Sequence, residues 1–444
     1  MIRPPTRLAK NALWMIISRI GAQGMAVVFT ILLARRLGSA GFGEYAFIAA
    51  VIFVANALTT FGTDMLLIRE IAANGDLSRL LSALVVQLAL SGLFIAVVWT
   101  FSAWIPNQSP ETITALKIYS LALIPLAFYT VFTTTLRGLQ RMDVYSLLSL
   151  IVSVLQVGVV LLPNTSIVRL SILLLSVQII NALFAGLFCS RTIRYFWRSW
   201  RFTSFSLSSL LKEAAPIAVL TLVTMLYQRL SVGMLSIMIG ATATGIFSAA
   251  SRAVEASKTA HLAVFAALYP AMASGLSLRV FEKQSLIKWV KLLDEIFPFN
   301  WGLLRSLRSL AMTYFGLLLA GATIISMILS VLAKPLVLLL YGNEFSASAG
   351  ILQILAWALI PFTINTYLTL SFLASKREKL VGRALTVSLL GLLILNLWWI
   401  PAKGPEGSAW AALVAECIQS AFLLVSAGSR VHLQGDVHEL SELS

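Results

Sequence analysis

Long apolar runs broken by short polar gaps set the pattern of this chain. Twelve runs of about 20 residues or more stand out: 11–33, 43–64, 80–105, 112–136, 143–162, 168–190, 214–239, 245–270, 309–332, 349–374, 380–400 and 407–428. A bilayer core of ~30 Å takes about 20 helical residues, so each run predicts one transmembrane helix. The predicted fold is an all-α polytopic membrane protein. One run is unlike the others. Residues 245–270, GIFSAASRAVEASKTAHLAVFAALYP, run from Gly245 to Pro270 yet carry Arg252, Glu255, Lys258 and His261 midway. At 100° per residue, steps of three leave Arg252, Glu255 and Lys258 on an arc of about 120°, with His261 further round. A charge at mid-membrane costs ~2.5–3.5 kcal/mol on insertion scales, so this face must look into protein or water.

The runs also repeat. ALKIYSLALIPLAFYTVFTTTLRGLQR (115–141) and ILQILAWALIPFTINTYLTLSFLASKR (351–377) share the ALIP tetrapeptide in register. LGSAGFGEYAF (37–47) likewise lines up with IGATATGIFSA (239–249), matching Gly38 to Gly240 and Gly43 to Gly245. With six spans per half, both halves start on the same side of the membrane. They predict parallel repeats about an axis along the membrane normal, enclosing a central cavity. The expected division is a six-helix N-terminal lobe over 1–205 and a six-helix C-terminal lobe over 206–444, the latter with an amphipathic segment at 279–297.

Composition sharpens this picture. Only 11% of residues are charged and the mean hydropathy is +0.90, which excludes an ordinary soluble domain. A net charge of +15 would point to nucleic acid in a soluble chain. Here it follows from the cation bias of cytoplasmic loops, and no nucleic-acid partner is expected. With cations at span ends counted to the adjoining loop, 23 of the 33 Lys and Arg fall on one side of the predicted membrane, six on the other and four deep inside spans. That bias predicts cytoplasmic N- and C-termini, with the basic N-terminus leading into a signal-anchor. RTIRYFWRSWRF (191–202) reads as an aromatic and basic collar at the headgroups. In 279–297, Leu286, Trp289, Val290, Leu293, Ile296 and Phe297 share one helical face, which predicts an interfacial helix on the cytoplasmic surface. Cys189 and Cys417 fall inside predicted spans and read as packing residues.

The candidate chemistry is cationic. Arg19, Arg229, Arg252 and Lys258 lie at membrane depth, with Glu255 set against them, a balance of +3. Two readings stand. In one, Glu255 bridges Arg252 and Lys258 and holds helices together. In the other, the cations line a wet cavity for an anionic substrate, and the bidentate guanidinium fork favours a phosphate or diphosphate. Gln23 and Gln228 share spans with Arg19 and Arg229 and add amides to that cavity. His261 reads as a hydrogen-bonded packing residue. Asn365 is one of several amides expected to bond between helices, and Pro125, Pro216 and Pro361 are expected to bend theirs. No Walker A loop, HExxH, DxD or ligand-spaced Cys/His pair occurs. The expectation is a carrier with no catalytic residues, cofactor or metal.

These stretches are familiar together. The opening NALWMIISRIGAQGMAVVFTILLARRLGSAGFGEYAF, then FGTDMLLIREIA (61–72), LRGLQRMD (136–143) and KPLVLLLYGNEFSASAGILQILAWALIP (334–361), resemble polysaccharide repeat-unit flippases of the Wzx type in the MOP exporter superfamily. The resemblance covers nearly the whole chain as pattern. It implies two six-helix lobes, alternating access and transport of an undecaprenyl-diphosphate-linked oligosaccharide across a bacterial cytoplasmic (inner) membrane for O-antigen or exopolysaccharide synthesis. It further implies a cationic lumen at Arg19, Arg229, Arg252 and Lys258. Implied partners are the lipid-linked oligosaccharide, membrane lipids, and polysaccharide polymerase and assembly proteins. An ion-coupled multidrug exporter of the same superfamily remains the alternative. A membrane glycan polymerase or ligase is disfavoured by the short outer loops.

Overall fold

The chain's helices break where a residue cannot complete the helical hydrogen-bond ladder, and the two halves break at matching places. Pro125 has no N–H to offer the carbonyl of Leu121, and the N–H of Ile124 takes it instead at 3.2 Å. Pro361 leaves the carbonyl of Trp357 in the same state, and Ile360 takes it at 3.3 Å. Helices therefore restart at Leu123 and Leu359, after Ala122 (φ −63, ψ −18) and Ala358 (φ −66, ψ −12). The repeat inferred from ALIP is a repeat of backbone geometry.

In a computed structural model that describes residues 5–163, 166–192, 207–273, 310–375 and 377–441, every regular element is a helix. In chain order these are α1 (Pro5–Thr60), α2 (Thr63–Asn74), α3 (Leu80–Phe101), α4 (Pro110–Ser120), α5 (Leu123–Gly138), α6 (Met142–Leu161) and α7 (Ile167–Thr192). Then follow α8 (Leu207–Met238), α9 (Ala241–Ala273), α10 (Leu310–Val331), α11 (Ala333–Tyr341), α12 (Ser348–Ala356), α13 (Leu359–Ala374) and α14 (Glu378–Ser441). Short 3₁₀ turns at Ser102–Trp104 and Asn343–Phe345 complete the set.

Among the described residues, eight helices are long and apolar enough to cross a membrane, or nine if the bent pair α10–α11 is one span. Gly21–Thr60 and Glu378–Ala427 each hold two predicted spans, because the helix continues past a sharp break at Gly38 (φ 68, ψ −176) and Gly404 (φ 59, ψ −138). The chain is a multi-pass membrane protein. The second predicted span is shorter than expected: α1 stops at Thr60, and Phe61 (φ 47) and Gly62 (φ 67) turn the chain into α2. Asp64 accordingly sits in the first turn of α2, not at the end of a span. The 279–297 segment and residues 193–202 of the aromatic collar lie outside the described residues.

Two compact units result. The first comprises Met1–Arg252 with Val337–Ser348 and Leu395–Ser408; the second comprises Ala253–Leu336 with Ala349–Ile394 and Ala409–Ser444. Lipid tails give helices no hydrophobic reason to associate, so close packing of small residues must hold them. In the first unit, Ala83, Ala127, Ala185 and Ala214 are buried among Leu66, Leu80, Phe132 and Leu136. A Cβ on Gly138 would come within 2.7 Å of Ile71. Large apolar side chains such as Leu93, Trp99 and Leu183 are exposed on its outside. In the second unit Phe372, Val381, Ala384 and Leu423 form a smaller core.

One end of the first unit is tied by polar contacts. Ser109 caps α4 by accepting from the N–H of Thr112 at 3.1 Å, and its hydroxyl donates to Glu44 at 2.9 Å. Arg35 donates to the carbonyls of Leu339 and Leu340, and Arg36 donates to Leu162 at 2.7 Å. Both guanidiniums thus sit on helix C-terminal carbonyls, where a cation is favoured. Asn107 and Gln108 donate to the carbonyls of Ile237 and Ser236 at 2.8 and 3.0 Å.

Candidate functional site

In the first unit the second half of α1 carries aromatic rings beside a membrane-depth cation. Residues Tyr45 and Phe53 are eight apart, so both lie near one face of the helix. Tyr45 packs edge-on against Phe29 with ring centroids 5.7 Å apart. The guanidinium of Arg229, from α8, lies 4.8 Å above the Phe53 ring, and both Arg229 and Arg252 act electrostatically on Tyr45. The arrangement offers one guanidinium, that of Arg229, held at membrane depth by a ring face, a contact worth ~0.5–2 kcal/mol. Arg229 and Arg252 are thus both within electrostatic reach of Tyr45, although 23 residues and a helix break separate them. Gln23 is half-buried on α1, and Gln228 is exposed on α8. The side chain of Arg19 lies outside the described residues.

Below Phe53 a cavity of about 240 Å³ opens between α1, α2, α5, α6 and α8. Phe53, Tyr129 and Tyr145 give it rings; Thr60, Thr130, Thr133 and Asn56 give it hydroxyls and an amide; Asp64 and Arg137 give it one charge of each sign. Arg137 lies 5.6 Å over the Tyr145 ring. Thr133 donates to the carbonyl of Tyr129 at 2.8 Å, so its oxygen lone pairs remain for a ligand.

In the second unit Lys258 is neutralised. Its Nζ lies 2.6 Å from Glu416 Oε1 and 4.5 Å above the Phe362 ring. Glu416 Oε2 accepts from Asn365 Nδ2 at 2.9 Å, and Ser420 donates to Asn365 Oδ1 at 2.8 Å. The Glu416 carboxylate and the Asn365 amide are thus both matched. Glu416 is a second carboxylate within a predicted span, so the balance of four cations against Glu255 alone does not hold. Its signal is plain in the sequence, as the single Glu of the run 407–428 with Ser420 one turn away on the same face. Asn365 bonds between helices as expected. His261 is buried, and its Nε2 is 3.1 Å from the carbonyl of Leu318, the packing role expected of it. Cys189 is buried, whereas Cys417 is exposed on α14 rather than packed. Among the described residues no group of three or more His, Cys, Asp or Glu is set to hold a metal.

Solved structures share this fold. A lipid II flippase, MurJ, in an inward closed conformation is 17% identical, covers 94% of this chain and 87% of its own, and has a TM-score of 0.66. An inward-facing multidrug resistance MATE family transporter of the MOP superfamily is 12% identical, covers 95% and 99%, and has a TM-score of 0.72. A MOP superfamily transporter from Pyrococcus furiosus, described by the reversed polarity of its binding pocket, is 13% identical, covers 96% and 95%, and has a TM-score of 0.63. At these identities the likeness establishes the fold, that of the MOP superfamily. No curated protein sequence matches the chain. The profile of the polysaccharide biosynthesis protein family matches residues 8–276, which takes in α1 to α9 with Arg229, Arg252 and the cavity; the chain belongs to that family.

Proposed function

We propose that this protein is a flippase that carries polyprenyl-diphosphate-linked oligosaccharide across the bacterial cytoplasmic membrane by alternating access, both termini cytoplasmic. The carrying observation is the guanidinium of Arg229 held 4.8 Å over the Phe53 ring, with Arg252 within electrostatic reach of Tyr45 on the same helix. Guanidiniums bind diphosphate oxygens through two-pronged hydrogen bonds, and a diphosphate linkage brings about the charge that two arginines balance. Membership of the polysaccharide biosynthesis family supplies the glycan, and the MOP fold supplies the carrier architecture.

The second reading is an ion-coupled multidrug exporter, which the likeness to a multidrug transporter favours. Organic cations want an unneutralised membrane carboxylate; Glu416 is already matched by Lys258 and Asn365, and Asp64 shares its cavity with Arg137. The test is flipping of a fluorescent undecaprenyl-diphosphate glycan in proteoliposomes. The wild type should flip it, the Arg229→Ala, Arg252→Ala double variant should not, and Lys at either position should rescue only in part. Full flipping by the double variant, reconstituted at equal level, would count against the diphosphate site. Export of organic cations without glycan flipping would favour the second reading.

A further inference from the structure

We propose that the cavity of the first unit binds a sugar ring of the transported lipid and thereby selects which glycans are carried. The inference rests on the flippase reading and goes beyond it by separating the group that is held by charge from the group that is read by shape.

The chemistry of the lining points to a neutral polyol. Asp64 is acceptor-only and Arg137 donor-only, so together they add no net charge, and a phosphate or an organic cation would meet a like charge beside its counter-ion. A lipid chain would strand these charges together with the hydroxyls. A pyranose offers each group what it lacks. Its hydroxyls donate to Asp64 and to threonine oxygens, its oxygens accept from Arg137, and its C–H face lies on an aromatic ring. One ring is already held in place, Tyr145 by Arg137 at 5.6 Å. At about 240 Å³ the cavity is smaller than the ~300–1,000 Å³ of drug-sized pockets, and it suits one ring better than a whole repeat unit.

Position gives the second argument. Phe53 lines the cavity and also lies under the Arg229 guanidinium at 4.8 Å, and Met225 lines it one turn before Arg229 on α8. The cavity thus starts beside Arg229. A diphosphate bound at Arg229 would set its attached sugar at the cavity mouth, in the covalent order of the substrate.

The test compares lipids with and without a sugar. The protein in nanodiscs is titrated with undecaprenyl diphosphate and with the same lipid bearing N-acetylglucosamine, N-acetylgalactosamine, galactose or glucose. The wild type should bind at least one glycosylated lipid more tightly than the bare one. Asp64→Asn and Thr130→Val, both near-isosteric, should lower that gain about tenfold for Asp64 and less for Thr130. Neither should change binding of the bare lipid, which also reports correct folding. Equal binding of bare and glycosylated lipids by the wild type, or variants that weaken both alike, would overturn the inference alone. A wild type that binds none of these lipids would overturn the flippase reading, and the inference with it.

Discussion

Gly43 and Gly245 cross with their backbones in contact, and no side chain fits between them. A Cβ on Gly43 would lie 1.8 Å from the carbonyl oxygen of Ala241, and one on Gly245 would lie 1.9 Å from that of Ser39. The contact is reciprocal, because Ser39 and Gly43 stand to Ala241 and Gly245 as the repeat pairs them. Small residues at i and i+4 on both helices allow this approach, the same device that brings membrane helices together elsewhere.

Gly43→Ala or Gly245→Ala should therefore force the two helices apart, at a cost of ~1–3 kcal/mol. A cysteine at Ser39 should gain reactivity towards an impermeant maleimide in the Gly245→Ala background. Reactivity and melting temperature both equal to those of the parent would mean that the crossing is not tight in the membrane.

Glu344 fastens the same crossing from the side. Its carboxylate accepts from the Ser39 N–H at 2.7 Å and from the Ser39 hydroxyl at 2.8 Å, just after Gly38 takes its positive φ. The Ser39 N–H, and then its hydroxyl, hold the Glu344 carboxyl below its ordinary range, with burial opposing. The sign follows from linkage: a lowered pKa favours the contact above the ordinary carboxylate value of ~4.3, and that favour fades as pH falls through the lowered value. Thiol labelling near Ser39 should rise on acidification from pH 6 to pH 3 in the wild type, with a flatter profile in Glu344→Gln. An equal rise in both proteins would remove Glu344 from the explanation.

Lys258 and Glu416 call for a paired substitution. Glu416→Ala leaves an uncompensated ammonium and takes the Oε2 acceptor from Asn365, so it should cost ~3–5 kcal/mol. Lys258→Met with Glu416→Gln should be milder than either charge loss alone, since the pair's attraction is set against the desolvation of both ions. Thermal unfolding in detergent measures each variant. Additive losses in the double variant would indicate that the two charges are not coupled.

These contacts mark what the sequence made legible. The ALIP breaks could be read because proline acts locally: the lost N–H at Pro125 and Pro361 has the same consequence wherever the chain runs. Gly38 and Gly240 could be matched for a similar reason, and both adopt positive φ. The partners could not be read. Ser39 and Glu344 are 305 residues apart, and Lys258 and Glu416 158 apart. Nothing in YGNEF or AECIQ names the distant group. The cavity was hidden differently. Thr130, Thr133 and Thr134 sit in an apolar helix where a threonine normally bonds back to its own helix, as Thr133 does, so they look like packing until the space beside them is seen.

Phe53 supplies the last prediction. It is the residue through which Arg229 and the cavity are joined, and it is exposed. Phe53→Leu keeps an apolar side chain but removes the ring face beneath the guanidinium, a loss of ~0.5–1 kcal/mol at an accessible site. Arg229 would keep its charge but lose its fixed height over α1, so diphosphate binding should weaken by only a few-fold. Phe53→Trp should restore it, because indole is the better cation–π partner. Arg229→Lys should do worse than Phe53→Leu, for it keeps the charge and loses the two-pronged geometry. The measurement is binding of bare undecaprenyl diphosphate to the four proteins in nanodiscs. The expected order, tightest first, is Phe53→Trp together with wild type, then Phe53→Leu, then Arg229→Lys. If Phe53→Leu binds as tightly as the wild type, the ring does not position the guanidinium.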